Sequence, residues 1–193
     1  MNDSECQEDI IAANEESLLQ LKRSLILSQG DFSIILAYCP SKRLRKQIAQ
    51  QLHESLAIAI QDLTLPPSAQ TLYTTIYHAL PEPHPEALMV FGLESVVNIE
   101  ELLVATNFVR DEFRKQFSFP LVLWVNQEIL QKMIRLAPDF KNWTTTAIRF
   151  ERVCNKVVDF PHRPSTSTKR RKKAKHSLPP IQRRYDDDRP ISL

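Results

Sequence analysis

Short apolar runs alternate with helix-like segments through the first 150 residues, and this alternation constrains the fold more than any other feature of the sequence. Five runs read as strands because they are short, apolar and bounded by Pro, Gly or polar residues. The buried-strand pattern is clearest in FSIILAYC and PLVLWV, which lack polar alternation. The predicted strands span residues 32–39, 56–65, 87–94, 120–125 and 144–150.

Amphipathic segments separate these runs. Residues 8–28 carry Ile and Leu at helical spacing, and another helix is expected to start at Pro40-Ser41. Strands that alternate with helices predict an α/β fold, a three-layer sandwich with a mostly parallel five-stranded sheet. The other predicted helices span residues 68–78 with Ser68 as N-cap, 99–116 with Asn98 as N-cap, and 127–136, which ends near Pro138.

Charge divides the chain into two parts. Residues 1–160 carry 15 Lys and Arg against 20 Asp and Glu, whereas residues 161–193 carry 10 against 3. The second part has few apolar residues and several prolines, a composition that buries too little surface to offset the entropy of ordering. We therefore expect one domain over residues 1–160 and a disordered basic tail over residues 161–193.

The cysteines and the apolar segments indicate a cytoplasmic protein. The three cysteines are far apart and lack C-x-x-C spacing, which argues against a disulfide framework and a zinc site. No apolar run approaches the roughly 18 residues of a membrane span. No two histidines lie at i, i+4 on one predicted helix, so no metal site is expected.

The first strand leads into Pro40-Ser41-Lys42, the position at which an open α/β sheet binds a ligand. A phosphate loop of the form GxxxxGK[ST] uses glycines to turn successive N–H groups toward the phosphates. Here the loop has no glycine, Pro40 lacks an N–H, and Ser41 precedes Lys42. Four basic groups (Lys42, Arg43, Arg45 and Lys46) and the helix N-terminus could still attract an anion. Ser41, Lys42 and Arg43 are the candidate residues of a weak anion site, and a Ser-capped helix with a solvated basic face is the favoured alternative.

Two other strands end in polar residues at the same edge of the sheet. Glu94 follows ALMVFGL and is a candidate magnesium ligand, although apolar strands often end in an acid. Asn126 follows PLVLWV and could sense a terminal phosphate, but Asn is also a good N-cap for the next helix. We favour the cap for Asn126.

Six of the seven residues at 169–175 are basic. Such a run attracts nucleic acid through salt-sensitive, sequence-independent contacts, or it only keeps the chain soluble. The candidate contact residues are Lys169, Arg170, Arg171, Lys172, Lys173 and Lys175.

The segments LAYC, TLPPSAQTLYTTI, PEALMVFGLESV, FVRDEFRKQFSFPLVLWVNQEIL and MIRLAPDFKNW resemble, in this order, one family. That family is the degenerate P-loop NTPase-like (AAA/STAND-type) N-terminal module of cyanobacterial multidomain proteins with tetratricopeptide-type repeats. The resemblance covers about residues 8–152 and is most specific in LMVFGLES, PLVLWVN and RLAPDF. It implies strand order 5-1-4-3-2, with the loop at residues 40–46, the acidic position at Glu94 and the sensor-like position at Asn126.

Three hypotheses for the function follow. The leading one is a non-catalytic domain that serves as a regulatory or protein-interaction module, with no catalytic residues and with no cofactor or only weak ATP/Mg²⁺ binding. The others are an active ATPase with an atypical loop, and a nucleic-acid-associated protein that docks through residues 169–175. A protein partner is expected under the leading hypothesis.

Overall fold

A computed structural model describes residues 14–151 of the chain. Within that range the strands and helices alternate as the sequence predicts. The strands are β1 (Ser33–Tyr38), β2 (Ile60–Thr64), β3 (Ala87–Phe91), β4 (Pro120–Val125) and β5 (Ile148–Arg149). The helices are α1 (Glu15–Leu27), α2 (Lys42–Ser55), α3 (Leu72–Ala79), α4 (Ile99–Phe108), α5 (Arg110–Gln116), α6 (Gln127–Leu136) and α7 (Pro138–Asn142), with a 3₁₀ turn at Leu93–Ser95.

All five strands form one parallel sheet in the order β2-β3-β4-β1-β5. The predicted fold class and the implied strand order are therefore confirmed. The central strands β1 and β4 pair along six residues, from Ser33 opposite Pro120 to Tyr38 opposite Val125. β4 is apolar throughout and β1 is apolar after Ser33, as expected for strands whose two faces are both covered by helices.

Each face of the sheet has its own apolar core. On one face, α1 and α2 pack on Ile35, Met89 and Trp124. On the other face, α3 to α7 pack on Ile34, Leu88 and their neighbours. The alternation of side chains along each strand sends odd and even positions to opposite cores. Two helices on one side and five on the other make the three layers of the sandwich.

Several predicted boundaries are wrong in detail. The single helix predicted over residues 99–116 is two helices, which meet at Val109, where the backbone leaves helical geometry (φ −99°, ψ 16°). The N-cap of α3 is Thr71, not Ser68, and its hydroxyl accepts a hydrogen bond from Thr74 N–H. Asn98 stands at the N-cap of α4 without a side-chain cap bond.

The second, third and fifth strands are shorter than predicted. β2 starts at Ile60 rather than at residue 56, because Leu56 is the C-cap of α2. β3 stops at Phe91 because Gly92 adopts the left-handed conformation (φ +84°) that starts the 3₁₀ turn. A Cβ at Gly92 would lie 3.1 Å from the carbonyl oxygen of Leu65, so the close approach also requires glycine. The fifth strand is reduced to Ile148–Arg149, with an isolated bridge between Thr144 and Ile34.

Some predictions fall outside residues 14–151. These are the start of the first helix at residue 8, the domain boundary at residue 160, and the basic tail with its candidate contacts at residues 169–175. Within the described range, no helix is long and apolar enough to cross a membrane.

Candidate functional site

The connection from β1 to α2 consists of residues 39–41 alone. Cys39 N–H donates to the carbonyl oxygen of Val125 at 2.9 Å, which continues the sheet by one residue. The Ser41 hydroxyl accepts from Leu44 N–H at 3.3 Å, so Ser41 is the N-cap of α2. The favoured interpretation of Ser41 as a helix cap is confirmed.

Asn126 also caps a helix. Its side-chain oxygen accepts from Ile129 N–H at 2.8 Å, and its own backbone is extended, as N-cap residues usually are. The oxygen that could sense a phosphate is therefore bound to the first turn of α6.

Glu94 pairs with Arg45, one of the basic residues that the sequence predicts to attract an anion. In the 3₁₀ turn after β3, its Oε1 accepts from Arg45 Nη1 at 2.8 Å, and the two side chains are only 12% and 4% exposed. Arg45 Nε donates to the carbonyl oxygen of Cys39 at 2.8 Å. One guanidinium thus ties the β1–α2 connection to the end of β3.

The second oxygen of Glu94, Oε2, is buried and has no hydrogen-bond partner. An unpaired carboxylate oxygen in a protein interior costs free energy, which the Arg45 ion pair only partly offsets. The Cys39 thiol lies in the same region and is fully buried. Burial raises the pKa of this thiol above its ordinary value of 9.0, although a backbone hydrogen bond with Ser41 and the positive charge of Arg45 act in the other direction.

A cavity of about 690 Å³ lies beside the ion pair, between α2 and the β2–β3 side of the sheet. At this position, α1 and α2 leave part of their face of the sheet uncovered. Phe91 lines the cavity, and its ring stacks on Trp124 with a centroid separation of 5.7 Å and an interplanar angle of 10°. Thr64, which pairs with Phe91 across β2 and β3, also lines the cavity.

The two ends of the cavity differ in charge. Lys42, Arg45 and Lys46 lie at the N-terminal end of α2. Glu54 lies at the C-terminal end of the helix, where His53 contacts Asp62 with Nε2 3.1 Å from Oδ1. Of the predicted site residues, Lys42 and Glu94 line the cavity.

Arg43 and Asn126 do not belong to the cavity. The Arg43 side chain is exposed on α2, and Asn126 belongs to the cap of α6. The structure therefore brings Lys42 and Glu94 to one cavity and leaves Arg43 and Asn126 outside it.

The solvated basic face predicted for this helix is wrong at Arg45, which is buried, and the sequence carries a signal for that burial. Arg45 lies between Leu44 and Ile48 and four residues before Ala49, on the apolar side of the predicted helix. An arginine on the buried side of an amphipathic helix requires a partner, because an unpaired buried charge is costly. The partner itself could not be identified, since it is 49 residues away along the chain.

No group of three or more His, Cys, Asp or Glu side chains could hold a metal ion within residues 14–151. Comparison of the sequence with protein-family models and with curated proteins finds no match.

Proposed function

We propose that this chain is a non-catalytic P-loop NTPase-like domain of the AAA/STAND type, which acts as a regulatory or protein-interaction module. The main observation in support of this proposal is the short β1–α2 connection, which Arg45 holds against the end of β3. Three residues join the strand to the helix, and Arg45 ties that connection to Glu94 at 2.8 Å.

The short connection supports the absence of phosphate binding. A phosphate loop needs a run of glycine-rich residues whose N–H groups surround the phosphates. In the connection described here, Pro40 has no N–H and Cys39 N–H is used by Val125. The connection therefore lacks the row of donors that a triphosphate requires.

The ion pair supports the absence of magnesium chemistry. A magnesium site at the end of β3 would need the Glu94 carboxylate as an oxygen ligand. One of its oxygens is bound to Arg45, whose positive charge also repels a cation.

An exposed apolar stripe on α4 favours a role in protein contact. Val97, just before the helix, and Phe108, at its end, are 78% and 79% exposed, and Val104 between them is 37% exposed. Val104 and Phe108 are four residues apart, which places them on one side of α4, and Val97 lies just before the N-cap Asn98. Apolar groups grouped on a surface are typical of contacts with other proteins.

The proposal is tested by titrating the full chain with ATP, with and without Mg²⁺, in a calorimeter and by measuring phosphate release. We expect no saturable Mg²⁺-dependent heat and no phosphate above the buffer rate. Lys42→Ala and Glu94→Gln are the matched variants, and circular dichroism checks that both are folded.

Micromolar Mg²⁺-dependent affinity that disappears in Lys42→Ala would show a functional nucleotide site. Steady phosphate release that stops in Glu94→Gln would show an ATPase with an atypical loop. Either result contradicts the proposed function.

A further inference from the structure

The cavity beside α2 has unpaired positive charge at one end. Lys42 and Lys46 lie one helical turn apart and both line the cavity. Among residues 14–151 neither lysine forms an ion pair, whereas Arg45 between them is neutralised by Glu94. Lys42 is also the first residue of α2, where the helix dipole adds partial positive charge. This end of the cavity attracts an anion.

The middle of the cavity is apolar and aromatic. One side of the Phe91 ring is covered by Trp124, which holds the ring in place, and other parts of Phe91 line the cavity. Ala49, which is buried on α2, and Thr64 on β2 complete this part of the lining. A fixed aromatic ring beside a small side chain is a surface on which a planar group stacks.

The far end of the cavity is acidic. Asp62 Oδ1 lies 3.1 Å from His53 Nε2, within hydrogen-bond distance, and Glu54 Oε1 accepts a hydrogen bond from Gln50 Nε2 at 2.8 Å. Lys46 and Glu54 are eight residues apart on α2, or about 12 Å along the helix axis. A second negative group at that distance would be repelled by these carboxylates. The cavity therefore selects a molecule with negative charge at one end only.

We propose that this cavity binds a small planar aromatic molecule that carries one anionic group, either a carboxylate or a phosphate monoester. The anion contacts Lys42 and Lys46, and the ring stacks on Phe91. The volume of about 690 Å³ suits a ligand of this size. The cavity adjoins the β1–α2 connection and shares Lys42 with the candidate anion site there. The binding proposed here needs no magnesium, and this requirement distinguishes it from Mg²⁺-ATP binding at the connection.

The test uses four probes on the full chain, measured by calorimetry and by ¹⁵N chemical-shift mapping without Mg²⁺. These are 2-naphthoate, 2-naphthyl phosphate, uncharged 2-naphthol and inorganic phosphate. We expect saturable binding of at least one naphthyl anion, with shifts at residues around Phe91 and Lys46. The tighter of the two naphthyl anions identifies the carboxylate or the phosphate as the preferred group.

Variants locate the site. Lys42→Ala/Lys46→Ala is expected to weaken binding about tenfold, because two charge-assisted contacts are lost. Phe91→Leu is expected to weaken it about threefold through lost stacking. Lys22→Ala/Lys115→Ala removes the same charge at residues that do not line the cavity and should leave the affinity unchanged.

The double lysine variant keeps the test valid if Phe91→Leu fails to fold, since both lysines are exposed. The proposal is overturned if neither naphthyl anion binds at millimolar concentration, or if the two double variants bind equally. It is also overturned if naphthol or inorganic phosphate binds as tightly as the naphthyl anions. None of these results bears on whether Mg²⁺-ATP binds, which the preceding experiment decides.

Discussion

Arg45 and Glu94 form the most buried ion pair among residues 14–151. Such pairs contribute little net stability, because the cost of removing two charges from water rivals their attraction. Removing one partner is different, since the other charge is then left buried and unpaired. The pair therefore links α2 to the end of β3, and replacing only one of its two residues is expected to lower stability.

We predict that Arg45→Met lowers the free energy of unfolding by about 3–5 kcal/mol, because the Glu94 carboxylate loses its charged partner. Arg45→Met/Glu94→Met should recover part of this loss, leaving about 1–2 kcal/mol for the unpaired Cys39 carbonyl. Urea denaturation measures both single variants, Arg45→Met and Glu94→Met, and the double variant. Lys115→Met is the control, because that lysine pairs with Glu112 on the surface and its loss should have no measurable effect.

If the two single losses at Arg45 and Glu94 simply add in the double variant, the side chains are not energetically coupled and the pair does not link α2 to the end of β3.

At the residue scale the sequence predicted correctly that Ser41 and Asn126 are helix N-caps, because a cap depends on neighbours three residues away. It placed the ends of β1 and β3 at one edge of the sheet, but it could not predict the bond between Arg45 and Glu94, because the basic side chain that reaches Glu94 is decided by how α2 packs on the sheet.

The elements themselves follow from patterns within short stretches of sequence. β4 and α6 match the prediction to the residue, because PLVLWV is uniformly apolar and Asn126 marks the start of the helix. The break between α4 and α5 at Val109 has no such signal, since neither Gly nor Pro is nearby. Phe113 is fully buried in the core, so packing rather than local preference sets the direction of α5.

For the helices at the candidate site, we predict that Asn126→Ala lowers the free energy of unfolding by about 1 kcal/mol. The reason is the lost hydrogen bond from Ile129 N–H, which is 2.8 Å long. Asn126→Asp should stay within a few tenths of a kcal/mol of the original protein, because Asp caps equally well. Urea denaturation at pH 7 measures both variants.

Equal stability of the Ala and Asp variants would refute the role of Asn126 as a cap. A ligand-sensing role would instead leave stability unchanged and alter nucleotide affinity, so the same two proteins are also titrated with Mg²⁺-ATP. We expect no binding by either.

At the scale of the whole molecule, the strand order was predictable. The contact between the two ends of the described range, Asn14 and Glu151, was not. The order 5-1-4-3-2 came from the resemblance, and the five-stranded parallel sheet came from the alternation of strands and helices. By contrast, the two ends of the described range meet through Asn14, whose side chain bonds the backbone of Glu151. These residues are 137 positions apart, and nothing in either local sequence indicates the contact.

The Asn14 side chain makes two hydrogen bonds with the backbone of Glu151, here called the Asn14 clasp. Its Nδ2 donates to the Glu151 carbonyl at 2.8 Å, and its Oδ1 accepts from Glu151 N–H at 2.8 Å. This use of the side chain explains why Asn14, at the N-cap of α1, makes no cap bond to its own helix. Ser17 adds a bond of 2.7 Å to the Arg149 carbonyl, so α1 and its N-cap hold both β5 and Glu151, two residues beyond the strand.

We predict that Asn14→Ala loosens the β5 edge of the sheet without unfolding the molecule. The Phe150 amide, which donates to the Tyr38 carbonyl at 2.8 Å, should exchange its hydrogen about tenfold faster, because a short edge strand depends on the clasp. The amides of Leu121–Val125 in central β4 should keep their rates. Hydrogen exchange followed by NMR measures both sets, and equal acceleration of β4 would show that Asn14 supports global stability rather than the edge.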